Sequence, residues 1–341
     1  MPSSLTGRAR ALADTVLFPA ALEVDRTGAV PEEHWRLLAD AGLYGIALPA
    51  ELGGPGLDLG ELIAILETVA GGCLSTAFTW VQHHGMLASL AASANTALRE
   101  QFLSRAAAGE IRGGVAYAGA VPVPPRMRAR RTDGGWLLSG HAPFVSGWGV
   151  IDVIVFSAGD VDSGDVVAGL VEAEMQSGIT EVVRQELAVA DATSTVSLVV
   201  EELFIPDDRI VSRVSRADFM ANQNFGSRLN ATLPIGVALR CAMLLDGAGQ
   251  PDAADAVRRS VERIRGALDA GLADAAVLLA ARADGAELAV RAAAALVAAA
   301  GGPGIRRDST AQLLARQAAF TLVAASRPEL KKLLVGRLAG A

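Results

Sequence analysis

Four histidines are the side chains of this chain that titrate near neutrality: His34, His83, His84 and His141. None has a cysteine or a second histidine at metal-ligand spacing except the adjacent pair His83-His84, and that pair has no acidic or thiol company. The pair follows Trp80 in a run that reads as helix, and the two imidazoles are kept as candidates for contact with a small-molecule substrate on the resemblance given below. The competing reading for each is a packed or surface residue; His34 and His141 read as surface positions. Further along, Phe144 and Ser146 place a flat apolar ring and a hydroxyl two residues apart in an alternating run. The plain reading of Phe144 is an inward-facing strand residue. Gly301-Gly302 is a place where backbone could approach a ligand without a Cβ in the way, or a helix C-cap followed by a turn.

Composition narrows the classes these groups could serve. The chain has 341 residues, 51% of them hydrophobic, and a formal charge of −7 from 30 basic and 37 acidic side chains. Such a balance supports a sizeable folded core and excludes disorder. An acidic chain lacks the basic face that phosphate backbones require, so nucleic acid is not an expected partner. Mean hydropathy is +0.36, yet no uncharged apolar run reaches the roughly 18 residues of a membrane helix. The N-terminus carries no signal-like apolar segment either. The expectation is a cytoplasmic protein without a membrane partner. Cys73 and Cys241 are too few and too distant for a disulfide framework or a zinc site. The cations are arginine apart from Lys331 and Lys332.

The elements that must position these groups fall into three parts, and no internal repeat is visible. Residues 1–112 read as helices. Pro31 opens a helix whose first turn holds Glu32 and Glu33, and the turn-rich stretch 49–56 cannot continue one. Helices then follow at 59–70, 75–92 and 95–108. Residues 113–215 change period: Trp136 to Gly140, Val150 to Ser157, Val166 to Glu172 and Ser194 to Val200 are short runs separated by Asp/Gly turns. With no helices between them they predict a central antiparallel β domain. Residues 216–341 return to helix. Val257, Val261, Ile264 and Leu268 form a stripe, and the alanine-dense 278–300 run allows close helix approach in a C-terminal four-helix bundle. The class is α+β.

Several segments, in order, resemble the acyl-CoA dehydrogenase superfamily. They are Leu17-Phe18-Pro19-Ala20, then 45–56 (Gly-Ile-Ala-Leu-Pro-Ala-Glu-Leu-Gly-Gly-Pro-Gly), Glu67 with His83 or His84, Ala108-Gly109-Glu110 before Ala116, Leu138 to His141, Phe144 to Gly147, and Ser194 to Pro206. The resemblance implies FAD at a subunit interface in a homo- or hetero-oligomer, a dimer or tetramer. It implies that Phe144 stacks on the flavin, that Ser146 donates to it, and that Tyr117 to Ala120, with Gly119 among them, line its other edge. Gly301 and Gly302 would then approach the cofactor of a neighbouring subunit.

The resemblance breaks where the chemistry is concentrated. A dehydrogenase of this type removes an α-proton with a carboxylate, but the matched position is Ala325, followed by Ser326, and an alternative position near Gly226-Ser227-Arg228 holds no acid either. Glu329 is a candidate substitute, or a solvated first-turn acid. The stretch from Ala120 to Pro125 has lost the hydroxyl and acid of the family pattern, and the loop 246–250 is shortened. No catalytic residue is assigned.

Three readings follow. One is an FAD-dependent oxidoreductase working on an acyl-CoA or similar small molecule, with a partner chain supplying the base. The second is a reduced-flavin-dependent monooxygenase of the same superfamily, favoured by 139–147 and needing no such base. The third is a non-enzymatic partner subunit that kept the fold.

Overall fold

Six helices come first in the computed structural model, which describes residues 2–340: α1 (Leu5–Leu12), α2 (Phe18–Thr27), α3 (Glu32–Asp40), α4 (Leu59–Gly72), α5 (Leu74–Ala91) and α6 (Thr96–Ala108). Their starts are written locally. Asp58 accepts from the Glu61 N–H at 2.8 Å while the Glu61 carboxylate reaches back to the Asp58 N–H, a capping box that satisfies two otherwise free donors of α4. Asn95 caps α6 through the Leu98 N–H, and Gly109 in a left-handed conformation ends it. His34, expected at the surface, is instead buried in α3. The apolar face of that helix includes Trp35 and Leu38, and His34 is carried inward beside them.

Eight strands follow: β1 (Gly113–Ala116), β2 (Met127–Thr132), β3 (Gly135–Val145), β4 (Val153–Asp160), β5 (Val166–Glu172), β6 (Ile179–Arg184), β7 (Val196–Pro206) and β8 (Ile210–Val214). They form one sheet in the order β6-β7-β3-β2-β4-β5-β8, with β1 beside β4. The antiparallel expectation needs correction, because the sheet is mixed. β1 runs parallel to the first half of β4, Gly113 opposite Val153 through Ala116 opposite Phe156, and β2 runs parallel to its second half at Arg128–Gly159 and Ala129–Asp160. Both are short strands sharing one edge of β4. Each is joined to β4 by a long excursion that includes all of β3, not by a local turn.

Six helices close the chain: α7 (Arg216–Asn230), α8 (Thr232–Gly247), α9 (Pro251–Ala270), α10 (Ala275–Ala300), α11 (Thr310–Thr321) and α12 (Pro328–Ala339). α8 to α11 pack on one another, and the expected stripe of Val257, Val261, Ile264 and Leu268 is the buried face of α9. Pro328, without an N–H to give, separates α11 from α12. The stretch Arg216–Gly247 has enough length and apolar character to cross a membrane, but 72% of its apolar window is buried within the protein. It is α7 and α8, and it faces other helices.

The first and last groups of helices share one apolar core. They meet most closely where α4 crosses α8. A Cβ on Gly236 would stand 2.4 Å from the Glu67 carbonyl oxygen and 2.7 Å from Ala70 Cβ, and one on Gly71 would stand 2.9 Å from the Gly236 oxygen. Glycine there is a requirement of backbone-to-backbone approach. Gly236→Ala is therefore expected to destabilise the fold by about 1–3 kcal/mol, the usual effect of overpacking. Urea unfolding measures it, and an unchanged midpoint would show that the two helices slide apart freely.

Candidate functional site

Two helical faces and one sheet face enclose a cavity of about 410 Å³. α5 contributes Val81, His84, Gly85 and Ala88, with Ala92 just past its end, and α7 contributes Phe219, Asn222, Gln223, Gly226, Leu229 and Asn230. Both sets step by three and four, the spacing that puts residues on one helix face. The strands contribute alternate residues: Val115, with Tyr117 just past the end of β1, Val155 and Ser157, Val166 and Ala168, Ser212 and Val214. That period of two is the sheet's own.

His84 belongs to this wall, and His83 does not. The His83 ring turns toward the sheet, where Nδ1 accepts the Gly113 N–H at 3.1 Å, and it meets Tyr44 edge-on at 4.8 Å. Burial pushes its pKa down to about 3, so it is a neutral packing residue. His84 packs edge-on to Trp80 at 4.6 Å and is 0% exposed. Neither of its ring nitrogens has a protein partner. Burial, with His83 beside it, holds its pKa well below the usual histidine value. Asn230 Oδ1, on α7, is likewise buried and unpartnered. His141 is exposed on β3.

Of the segment expected at a flavin edge, only Tyr117 reaches the cavity. Gly119 is packed under β2 and β3: a Cβ on it would lie 2.5 Å from Met127 Cγ and 2.8 Å from the His141 oxygen, and its carbonyl accepts from the Arg126 and Met127 N–H groups. Ala120 is fully buried, with its carbonyl accepting from Arg216 Nη1 at 3.1 Å.

Phe144 is not inward-facing. The β3–β7 register shifts between Ala142 and Val145, and at this bulge Phe144 adopts φ +54 and stands 66% exposed. Ser146 is nearly buried. Its Oγ lies 2.7 Å from Thr195 Oγ1, which lies 2.8 Å from Thr193 Oγ1. Three hydroxyl protons serve two links, so one proton remains for a further partner, and it is Ser146's when Thr193 donates to Thr195 and Thr195 to Ser146. The next residue, Gly147, rests against Thr79 of α5, one turn before His83.

Gly301 caps α10 with φ +63 and ψ −146, a conformation open in practice to glycine alone, and its N–H reaches the Val297 and Ala298 oxygens. The space around both Gly301 and Gly302 is free, since a Cβ on either would meet nothing within 4 Å. Their position matters more. Arg282 lies on the same helix, near Tyr117, and Gly301 follows about 28 Å further along the axis at about 1.5 Å per residue.

Arg282 escaped the reading of the sequence. It is one of four charges in an alanine-rich helix and the one of them that is buried, which the sequence alone does not single out. Its Nη1 donates to Ser227 Oγ at 3.1 Å and to the Ala325 oxygen at 3.3 Å, and its Nη2 donates to the Ala324 oxygen at 3.3 Å. Ala325 has φ +47. The two positions at which a carboxylate was sought, Ala325 and Ser227, are thus neighbours, and a guanidinium joins them. Burial pushes its pKa down to about 10, with Arg327 adding repulsion. Glu329 stands exposed in the first turn of α12. Glu67 is bound by Arg265, whose Nε lies 3.0 Å from Oε2, and not by either histidine.

Residues 3–110 match the family model for the acyl-CoA dehydrogenase N-terminal domain. The 2-methylacyl-CoA dehydrogenase of Solanum tuberosum is 28% identical over 240 residues, covering 66% of this chain and 57% of that protein; the chain thus spans under three-fifths of the length of this relative and of the isovaleryl-CoA dehydrogenases of Arabidopsis thaliana and Solanum tuberosum. In fold it is similar to butyryl-CoA dehydrogenase from Megasphaera elsdenii, with TM-score 0.82, 18% identity and coverage of 98% and 97% of the two chains. It is similar also to a glutaryl-CoA dehydrogenase from Mycobacterium smegmatis in complex with FADH2, with TM-score 0.80, 17% identity and coverage of 99% and 94%. A sheet held between two helical groups that share a core, and a cavity between sheet and helices, give the chain the fold of the solved acyl-CoA dehydrogenases, and its first third matches the model of their N-terminal domain.

Proposed function

We propose that this protein is an FAD-dependent oxidoreductase that receives an acyl thioester, CoA-linked, in the cavity between α5 and α7, and that a second chain completes its site. The observation that carries the reading is Arg282, a cation fixed between the two positions where an α-proton acceptor would stand. A guanidinium cannot take a proton, so the base comes from elsewhere.

The residues present fit FAD. An exposed aromatic ring held in a left-handed conformation at a sheet bulge, and a near-buried hydroxyl whose relay leaves one proton to give, offer a stacking surface and a donor within two residues. Phe144 would cover the ring and Ser146 would donate to its polar edge. Bound there, FAD supplies the hydride acceptor. The chain's own part is to seat the acyl group against Tyr117 and His84 and to exclude water by the walls of the cavity. Because Gly301 and Gly302 lie far along α10 from Arg282 and face open space, they are suited to a neighbouring subunit's cofactor.

The monooxygenase reading shares the missing base. Anaerobic mixing separates the two. Flavin bleached by an acyl-CoA without oxygen supports the dehydrogenase; flavin that responds only when supplied reduced, with oxygen, supports the monooxygenase. The visible spectrum after desalting, with the oligomer mass, tests the cofactor itself, and a colourless protein with every partner tried would overturn the flavin reading. Ser146→Ala is expected to weaken flavin binding about tenfold, one charge-free hydrogen bond's worth, with a loss of only about 1 kcal/mol in stability from the broken Thr195 link. Equal flavin dissociation constants would remove Ser146 from the site.

A further inference from the structure

Among the described residues no charged side chain lines the cavity between α5 and α7. A carboxylate or sulfonate on the ligand would find no cation there, and burying it unpaired is costly. Yet the lining is not that of a hydrocarbon slot, because two of its residues, His84 beside α5's other lining residues and Asn230 on α7, carry buried polar atoms that lack partners: the imidazole nitrogens and Oδ1. The Asn230 amide is fixed in orientation. Its Nδ2 donates to the Gly226 oxygen at 2.8 Å, and a flipped amide would set oxygen against oxygen. Oδ1 can only accept, so the ligand must bring a donor. The neutral imidazole of His84 offers one N–H and one lone pair.

We propose that this cavity is built for the part of a substrate that carries an uncharged hydroxyl group, which donates to Asn230 Oδ1 and accepts from the His84 N–H. A hydroxyl is the smallest group that answers both residues. A keto oxygen satisfies His84 and leaves Asn230 unpaired, and an alkyl chain leaves both unpaired. The proposal rests on the thioester reading only for the group attached to the hydroxylated chain; the cavity's preference is a property of its walls. Sites with committed hydrogen-bonding groups discriminate against analogues lacking the hydroxyl far more strongly than apolar slots discriminate by size.

Calorimetric titration of the protein as isolated, with its partner if one co-purifies, tests this with pentanoyl-CoA, 4-hydroxypentanoyl-CoA, 5-hydroxypentanoyl-CoA and glutaryl-CoA. At least one hydroxyacyl probe is expected to bind about tenfold or more tighter than pentanoyl-CoA, and glutaryl-CoA no tighter than pentanoyl-CoA. His84→Leu should bring the hydroxyacyl affinity down to the pentanoyl value, with a melting temperature no lower than that of the parent, since an unpaired buried imidazole is removed. Asn230→Leu, on α7, should do the same to affinity and stands as the second variant. If no CoA ester binds but methyl 4- or 5-hydroxypentanoate raises the melting temperature and His84→Leu abolishes the rise, the thioester reading fails and the cavity assignment holds. Equal affinity for hydroxylated and plain chains, a preference for glutaryl-CoA, or no response to esters of either kind overturns the proposal.

Discussion

Taking the protein from pH 7 to about pH 5 is expected to lower its unfolding free energy by about 2 kcal/mol through His83 alone. The folded-state pKa is pushed down to about 3 by burial, against 6.5 for an ordinary histidine. A base whose pKa is depressed on folding binds more protons when unfolded, throughout the window between those two values. Stability is therefore full above 6.5 and is lost steadily as pH falls toward 3. His84 adds in the same direction, for the same cause with His83 as neighbour, and His34, also buried, leans that way.

The interval chosen separates histidine from carboxylate effects. Between pH 7 and 5 the carboxylates whose pKa is lowered by ion pairing remain ionised in both states and contribute little, while Glu67, whose carboxyl burial pushes up, works in the opposite direction. Urea unfolding at the two pH values measures the difference. His83→Gln keeps an acceptor for the Gly113 N–H and should shrink the difference by about 2 kcal/mol, and His84→Leu should shrink it further. Equal stability of the parent protein at both pH values would show that the imidazoles are not held neutral, and would remove one support of the cavity assignment with them.

The three-part order and several spans were legible because their signals are local. The α4 capping box, the Gly109 cap and the α9 stripe are each written within a few residues. β1, β2, β6 and β8 were not legible. Gly-Gly-Val-Ala, Met-Arg-Ala-Arg-Arg-Thr and Ile-Thr-Glu-Val-Val-Arg carry no strong alternation of their own, and such segments become strands through the neighbours that pair with them. The parallel direction of β1 on β4 is non-local for the same reason. At the site, the His83-His84 pair was visible, but adjacent helical residues point about 100° apart, so one could face the cavity and the other could not. Which one faced it depended on how α5 rolled against β1. Asn230 and Arg282 gained meaning only from what lies across from them, a wall without charge in one case and two backbone carbonyls in the other. Gly301 is required by its own backbone conformation, which the sequence offered as one of two readings.

Ala325→Glu is expected to speed α-proton abstraction from a bound thioester. The backbone there is already left-handed with a Cβ present, so a longer side chain adds no new backbone strain. The turn is also held in place, because Arg282 grips the carbonyls of Ala324 and Ala325 from within the fold. A carboxylate introduced beside that guanidinium would be kept ionised at neutral pH, which is the state a proton acceptor needs. Exchange of the thioester's α-hydrogen for deuterium, followed by mass spectrometry, reads this step without requiring hydride transfer. An increase of about 100-fold or more over the parent is expected, the low end of what a placed general base contributes. In an Arg282→Met background the carboxylate loses its cationic neighbour, so the pH at which exchange reaches half its plateau should rise by about one unit or more. No exchange with Ala325→Glu, in a protein that binds the thioester, would place the substrate's α-carbon elsewhere and return the base question to the partner chain. Exchange without the pH shift would show that Arg282 faces the turn and not the substrate, leaving its charge to serve the fold.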